Sequence, residues 1–176
     1  MKYSISFFIF LFAACSTKEM QTVSTNLPSK IAFGSCAEQY KPQPILTRVA
    51  EVKPDLFVYL GDNIYSDTYS MDTLRKNYET LGAKPEFQKL KDVTPMLATW
   101  DDHDFGWNDS GRHYPHKEES KKIFLNFFGV ADSTVLTHPG IYYSKIYGGE
   151  KKLQIIMLDM RTFRDKILPY NGNRNS

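Results

Sequence analysis

Four short apolar runs in this chain each end on a residue able to hold a metal or a phosphate. Ile31-Ala32-Phe33 stops at Gly34-Ser35-Cys36, and Leu56-Phe57-Val58-Tyr59-Leu60 stops at Gly61-Asp62-Asn63. Residues 95–100 stop at Asp101-Asp102-His103-Asp104, and residues 153–158 at Asp159-Met160-Arg161. Helix-like stretches separate the first three runs. Residues 44–52 place Ile45, Leu46, Val49 and Val52 on one face, and residues 71–90, broken at 82–85, form the second crossover. Strands alternating with helices predict an α/β domain, and an unbroken run such as 56–60 predicts a strand buried on both faces. Residues 121–128 read as the end of a helix closed by Gly129, and 141–147 with 153–158 as a hairpin around Gly148-Gly149. Open α/β sheets bind ligands where loops leave the carboxyl ends of strands. A single Asp in such a place is ordinarily a turn or cap residue, but four such endings on one edge favour a site.

The densest ending, Asp101-Asp102-His103-Asp104, sets three acids around one histidine. Like charges raise one another's pKa, desolvation adds to the cost, and a polyvalent cation removes it. Asp62 and Asp102 are the carboxylates expected on that cation, Asp62 following a glycine that lets its loop come close. Cys36 as thiolate and Tyr65 as phenolate add softer anionic ligands, a set better suited to iron or another transition ion than to magnesium alone. His103 beside a carboxylate is the candidate general acid, with metal-activated water as nucleophile. Arg161 offers a planar fork matched to phosphate oxygens, its alternative being a structural arginine near Arg164. His113 and His116 read as solvated loop histidines and His138, before Pro139, as a turn residue. Tyr142, Tyr143, Tyr147 and Phe163 read as core and hairpin pairs. With 22 basic against 20 acidic side chains, the net charge of +2 supplies no field for nucleic acid. No Gly-x-Ser-x-Gly elbow supports a serine hydrolase.

Residues 1–14 carry one Lys and then the apolar run 7–14, directly before Cys15. The run is too short to span roughly 30 Å of hydrocarbon, so it reads as a signal peptide and not as a permanent anchor. The small residues before Cys15 resemble the lipobox of bacterial lipoproteins. A lipidated Cys15, a polar tether over 15–29 and a domain from residue 30 onward are therefore expected, in an exported protein whose partner is the membrane of the cell envelope. The alternative is a plain secretory peptide cut near Ala14. With Cys15 lipidated, Cys36 is the sole remaining thiol in an oxidising compartment, and it is either a small buried residue or a metal ligand.

Taken together, Phe33-Gly34-Ser35-Cys36, the stretch from Pro54 through Gly61-Asp62-Asn63-Ile64-Tyr65, and Ala98-Thr99-Trp100-Asp101-Asp102-His103-Asp104 resemble the PhoD-like alkaline phosphatases and phosphodiesterases. Leu158-Asp159-Met160-Arg161 fits the next motif of that family. The resemblance implies a metallophosphoesterase-like β-sandwich flanked by helices, with a multinuclear site of iron and calcium or similar ions. It implies metal ligation by Cys36, Asp62, Tyr65, Asp102 and Asn108, and phosphate contact by Arg161. Family members continue well past Arg161 with further metal-binding motifs, and nothing here matches them. The chain is thus expected to hold the amino-terminal half of the fold and, expressed alone, to have little activity. Two functions compete. One is a metal-dependent phosphoric ester hydrolase of the cell envelope, acting on mono- or diesters; the other is a non-catalytic envelope lipoprotein that keeps part of the fold as an interaction module.

Overall fold

The computed structural model describes residues 23–24 and 26–166. The expected signal peptide, Cys15 and most of the tether fall outside the described residues. Chain order is β1 (Val23–Ser24), β2 (Ile31–Gly34), α1 (Pro44–Val52), β3 (Leu56–Leu60), α2 (Met71–Gly82), α3 (Pro85–Val93) and β4 (Met96–Thr99). There follow α4 (Asp102–Phe105), α5 (Lys117–Phe128), α6 (Ser133–Thr137), β5 (Tyr143–Tyr147) and β6 (Leu153–Met157). Local chemistry sets most boundaries. Prolines open α1 and α3, where the missing N–H is no loss. Ser70 caps α2 by accepting from the Thr73 N–H at 3.3 Å. Gly129, at φ 67°, closes α5.

Strands β2, β3 and β4 pair in parallel and in chain order. Right-handed crossovers between strands laid down in one direction fall on one face, so α1 and the α2–α3 pair cover the same side of this sheet. On that side Phe57, Tyr59 and Ala98 meet Leu74, Tyr78, Leu90 and Phe124 in the main core. Each fully buried Leu or Phe there stabilises the fold by about 1.5–3 kcal/mol. On the opposite side Leu56, Val58 and Leu97 pack on Tyr147 and Met157 of a second sheet, ordered β1-β5-β6. The strand 56–60 is therefore covered on both faces, as its unbroken apolar run predicts, with Leu60 emerging at its end.

The second sheet leaves its outer face open. Leu153, Ile155 and Met157 point at the first sheet. Ile156 points away and is 62% exposed, and Leu158, Met160 and Phe163 continue an exposed apolar surface beyond the strand. Tyr147 and Tyr143 are packed as expected, but Tyr142 and Phe163 are not core residues: both are exposed, their ring centroids 6.2 Å apart.

Because β2, β3 and β4 are parallel, the loops after them leave by one edge. The ladder runs past the end of β2, the Cys36 N–H donating to the Gly61 carbonyl at 3.2 Å and the Ala37 N–H to the Asp62 carbonyl at 2.8 Å. Cys36 and Asp62 are thereby fixed side by side.

Candidate active site

Gly61 lets the loop after β3 approach the loop after β4. It sits at φ 107°, and a Cβ there would stand 2.7 Å from the Asp101 Cβ and 2.9 Å from the Asp101 nitrogen, so a side chain is excluded on both counts. Across this contact the acidic cluster folds into the single turn of α4, which aims its side chains three ways. Asp104 points inward, fully buried, and accepts from the Asn63 N–H at 2.7 Å, the Asp101 N–H at 2.9 Å and the Tyr78 hydroxyl at 3.4 Å. Asp102, also buried, accepts from the Asp109 N–H at 2.6 Å and from Arg161 Nη2 at 3.1 Å. His103 turns toward Asp62, its Nδ1 lying 2.9 Å from both Asp67 oxygens.

Asp62, Asp102 and His103 each bring one ligand atom to within 4.8 Å of the others. Cys36 Sγ stands 3.8 Å from Asp62 Oδ2, and the Tyr65 ring packs on the His103 ring at 4.3 Å between centroids. Asp62 Oδ1 is buried and has no hydrogen-bond partner among the described residues. A buried carboxylate oxygen without a donor is costly to keep ionised, and a cation among these donors would satisfy it. The residues present therefore fit a metal, and a thiol, a phenol and two carboxylates suit a transition ion beside a harder one.

Electrostatics point the same way. Burial raises the Asp62 carboxyl above its ordinary pKa against the opposing charge of His103, and Asp101 and Asp102 add to the rise. Burial, the Cys36 sulfur and the Asp62 carboxylate push the Tyr65 phenol up. Asp104 is pushed up to about 7 by burial, its backbone hydrogen bonds resisting. For His103, burial acts downward, but the Asp67 hydrogen bond and the charges of Asp67, Asp62 and Asp102 prevail and raise its proton affinity. The site thus gathers negative charge with too few protein cations to balance it.

Arg161 is the nearest balancing group. It is 9% exposed, its Nε donates to Asp101 and its Nη2 to Asp102, and its Nη1 is buried without a partner among the described residues. Two of its three nitrogens are thus committed to carboxylates. Asn108 lies beside Asp67 and Asp109. It is exposed, its backbone N–H donates to Asp67 at 2.7 Å, and its side-chain amide reaches Asp109 at 3.4 Å.

Asp159, which ends the fourth apolar run, has no lone pair to spare. It accepts from the N–H groups of Ile141, Arg161 and Thr162, each at 2.9 Å, from the Thr162 hydroxyl at 2.7 Å and from Trp100 Nε1 at 3.0 Å. Its place is structural. His113 reaches Asp165 at 3.2 Å, His116 precedes α5, and His138 stacks on Tyr142 at 4.1 Å. The sequence reading missed Asp67, which no strand end or motif marks. Its only local sign is a left-handed φ of 41°, shared at the site by Cys36 at 58°, Asp62 at 49° and Asp109 at 57°.

A parallel α/β sheet backed by a second sheet thus gathers acids and a histidine at its carboxyl edge, where open sheets of this kind bind ligands. The family model of the PhoD-like phosphatases matches residues 31–175. The chain belongs to the PhoD-like phosphatase family. The solved structure of PhoD matches with a TM-score of 0.66 at 19% identity, covering 82% of this chain and 34% of that one. The chain therefore spans about a third of the length of that relative. Comparison with curated proteins gives no match. No helix among the described residues is long and apolar enough to cross a membrane.

Proposed function

We propose that the protein carrying this chain is a metal-dependent phosphoric ester hydrolase of the cell envelope, held at the membrane by lipid on Cys15. The observation that carries the hydrolase reading is the buried, unpartnered Asp62 Oδ1, set among Asp102, His103, Cys36 and Tyr65 in a member of a phosphatase family. Cys36, Asp62, Tyr65, Asp102 and Asn108 would hold the cations, iron with calcium being the pair the family resemblance implies. Bound there, such ions supply positive charge at the phosphoryl oxygens and an acidified water.

The remaining steps belong to the protein. Asp67 holds His103 by Nδ1, which leaves the other ring nitrogen to carry a proton to the departing oxygen. Asp101 and Asp102 fix the plane of Arg161, so that its free Nη1 is pre-oriented toward a phosphoryl oxygen. Support for the export reading is the apolar run 7–14 before Cys15.

The test uses the full-length protein. Iron and calcium content are measured beside turnover of bis(4-nitrophenyl) phosphate and 4-nitrophenyl phosphate, in wild type and in Asp62→Asn. Metal and turnover should fall together in the variant. Turnover that survives both chelation and the substitution overturns the reading. Labelled palmitate should enter the wild type and not Cys15→Ala.

A further inference from the structure

Arg161 sits on a segment that no helix or strand holds. β6 ends at Met157, and residues 158–166 follow as turns and loop. A long, many-jointed side chain is well aimed only if its backbone is fixed as firmly as its tip. Asp101 and Asp102 hold the tip. Asp159 accepts the Arg161 N–H at 2.9 Å, and the rest of the backbone is held by the loop 109–113, which follows α4. The Arg112 N–H donates to the Arg164 carbonyl at 2.9 Å, and the Arg164 N–H donates to the Arg161 carbonyl at 3.1 Å. Gly111 packs against the same Arg164 carbonyl. A Cβ at Gly111 would stand 2.4 Å from that oxygen, too close for any side chain.

The loop meets Arg161 a second time through side chains. Arg164 Nη1 donates to Asp109 Oδ1 at 3.4 Å, the Asp109 N–H donates to Asp102 Oδ2 at 2.6 Å, and Asp102 Oδ1 accepts from Arg161 Nη2 at 3.1 Å. These contacts close a ring that leaves the Arg161 backbone through Arg164 and returns to its guanidinium through Asp109 and Asp102. Asp165 adds Arg112 Nη2 at 2.5 Å and His113 Nε2 at 3.2 Å, but these side chains are 51–62% exposed, and ion pairs in water contribute little. The weight therefore falls on the backbone contacts at Gly111 and Arg112 and on the relay from Arg164 through Asp109 to Asp102. We propose that Gly111, Asp109 and Arg164 are positioning residues, which set Arg161 in place for the phosphoryl group. The proposal rests on the phosphoesterase reading, in which Arg161 meets the phosphate.

The test measures binding of inorganic phosphate to the metal-loaded full-length protein by calorimetry, beside metal content and the kinetics of 4-nitrophenyl phosphate. Gly111 does not have a left-handed φ, so alanine there acts as a wedge against Arg164 with little backbone strain of its own. Gly111→Ala should weaken phosphate binding about tenfold, as one misaimed charge-assisted hydrogen bond allows. KM should rise in proportion with kcat nearly unchanged, because the guanidinium meets the phosphoryl oxygens before and during reaction alike. Metal content should stay at the wild-type level. Arg164→Ala should weaken binding less, and Arg164→Lys, which keeps a cation beside Asp109, should retain wild-type affinity. The deciding arm is an Arg161→Ala background. There Gly111→Ala and Arg164→Ala should cost nothing further, since changes that act through one residue do not add. An equal loss in both backgrounds, or wild-type affinity in Gly111→Ala, overturns the inference and leaves the hydrolase reading intact. A fall in metal content does the same, by routing the effect through Asp102. If Gly111→Ala fails to fold, Arg164→Ala in the two backgrounds decides by the same comparison. Wild-type phosphate affinity in Arg161→Ala overturns instead the phosphate role of Arg161, on which the positioning depends.

Discussion

Asp67 decides what His103 can do. A ring nitrogen bound to a carboxylate keeps one tautomer and one orientation, and outer partners of this kind are typically worth about 10–100-fold in metal affinity or activity. Asp67→Ala should lower turnover by about that factor. It should also move the alkaline limb of the pH–rate profile to lower pH, because the hydrogen bond and charge that raise the His103 pKa are gone. An unmoved limb assigns Asp67 to packing alone. Asp159 predicts a different pH effect. Burial acts to raise its pKa, but hydrogen bonds from Thr162, Trp100 and Arg161 outweigh it and hold the carboxyl below its ordinary value in the folded state. A depressed folded pKa contributes stability above the unfolded value that is lost as pH falls through the folded one. Asp159→Asn should therefore be less stable than wild type at neutral pH, and in urea melts the gap should begin to narrow only as pH falls below about 4. The loops carrying Cys36, Asp62, Asp102, His103 and Arg161 were legible because each follows an apolar run. The division of labour was not legible, since whether an acid serves as hub, clamp or ligand depends on which donors return to it from residues 36 to 59 positions away.

Two glycines separate local from tertiary constraint among the elements. Gly129 ends α5 at φ 67° with nothing within 4 Å of a built Cβ, so Gly129→Ala should cost only about 1 kcal/mol of backbone strain. Gly61 adds to its φ of 107° a contact with Asp101 backbone. Gly61→Ala should lower the melting temperature several times further and weaken metal binding, by forcing apart the loops after β3 and β4. Comparable melts for the two variants would mean that the loop contact yields freely. The same distinction governs how much of the fold could be read in advance. The strands at 31–34, 56–60 and 96–99 and the helices α1, α2, α3 and α5 announce themselves by apolar period, proline starts and a glycine stop. β1 is two residues long and exists by pairing with β5. α6 is a five-residue helix of Ser, Thr, Val and Leu, fixed by the Asp132 cap. Neither is long enough to show a period.

At the scale of the whole molecule, the layers are unequally covered. Helices close one side of the β2-β3-β4 sheet and the second sheet closes the other, while Ile156, Leu158, Met160 and Phe163 lie 55–65% exposed beyond them. An apolar surface of this kind marks an interaction face. The isolated chain should bind a hydrophobic dye and sediment heavier than its 20.3 kDa monomer, and Ile156→Lys with Leu158→Ser should reduce both. Dye binding unchanged in that double variant would place the sticky surface elsewhere. The left-handed residues carry a further implication. Lys53 closes a helix, but Cys36, Asp62, Asp67 and Asp109 all bend their backbones at the site, in a conformation that L-residues adopt at a penalty of roughly 1–2 kcal/mol. Glycine at Cys36 or Asp62 relieves that penalty as it removes a side chain the candidate site uses. Selection for stability alone would therefore erode the site there first, and a library screened only for heat resistance should return glycine at these two positions.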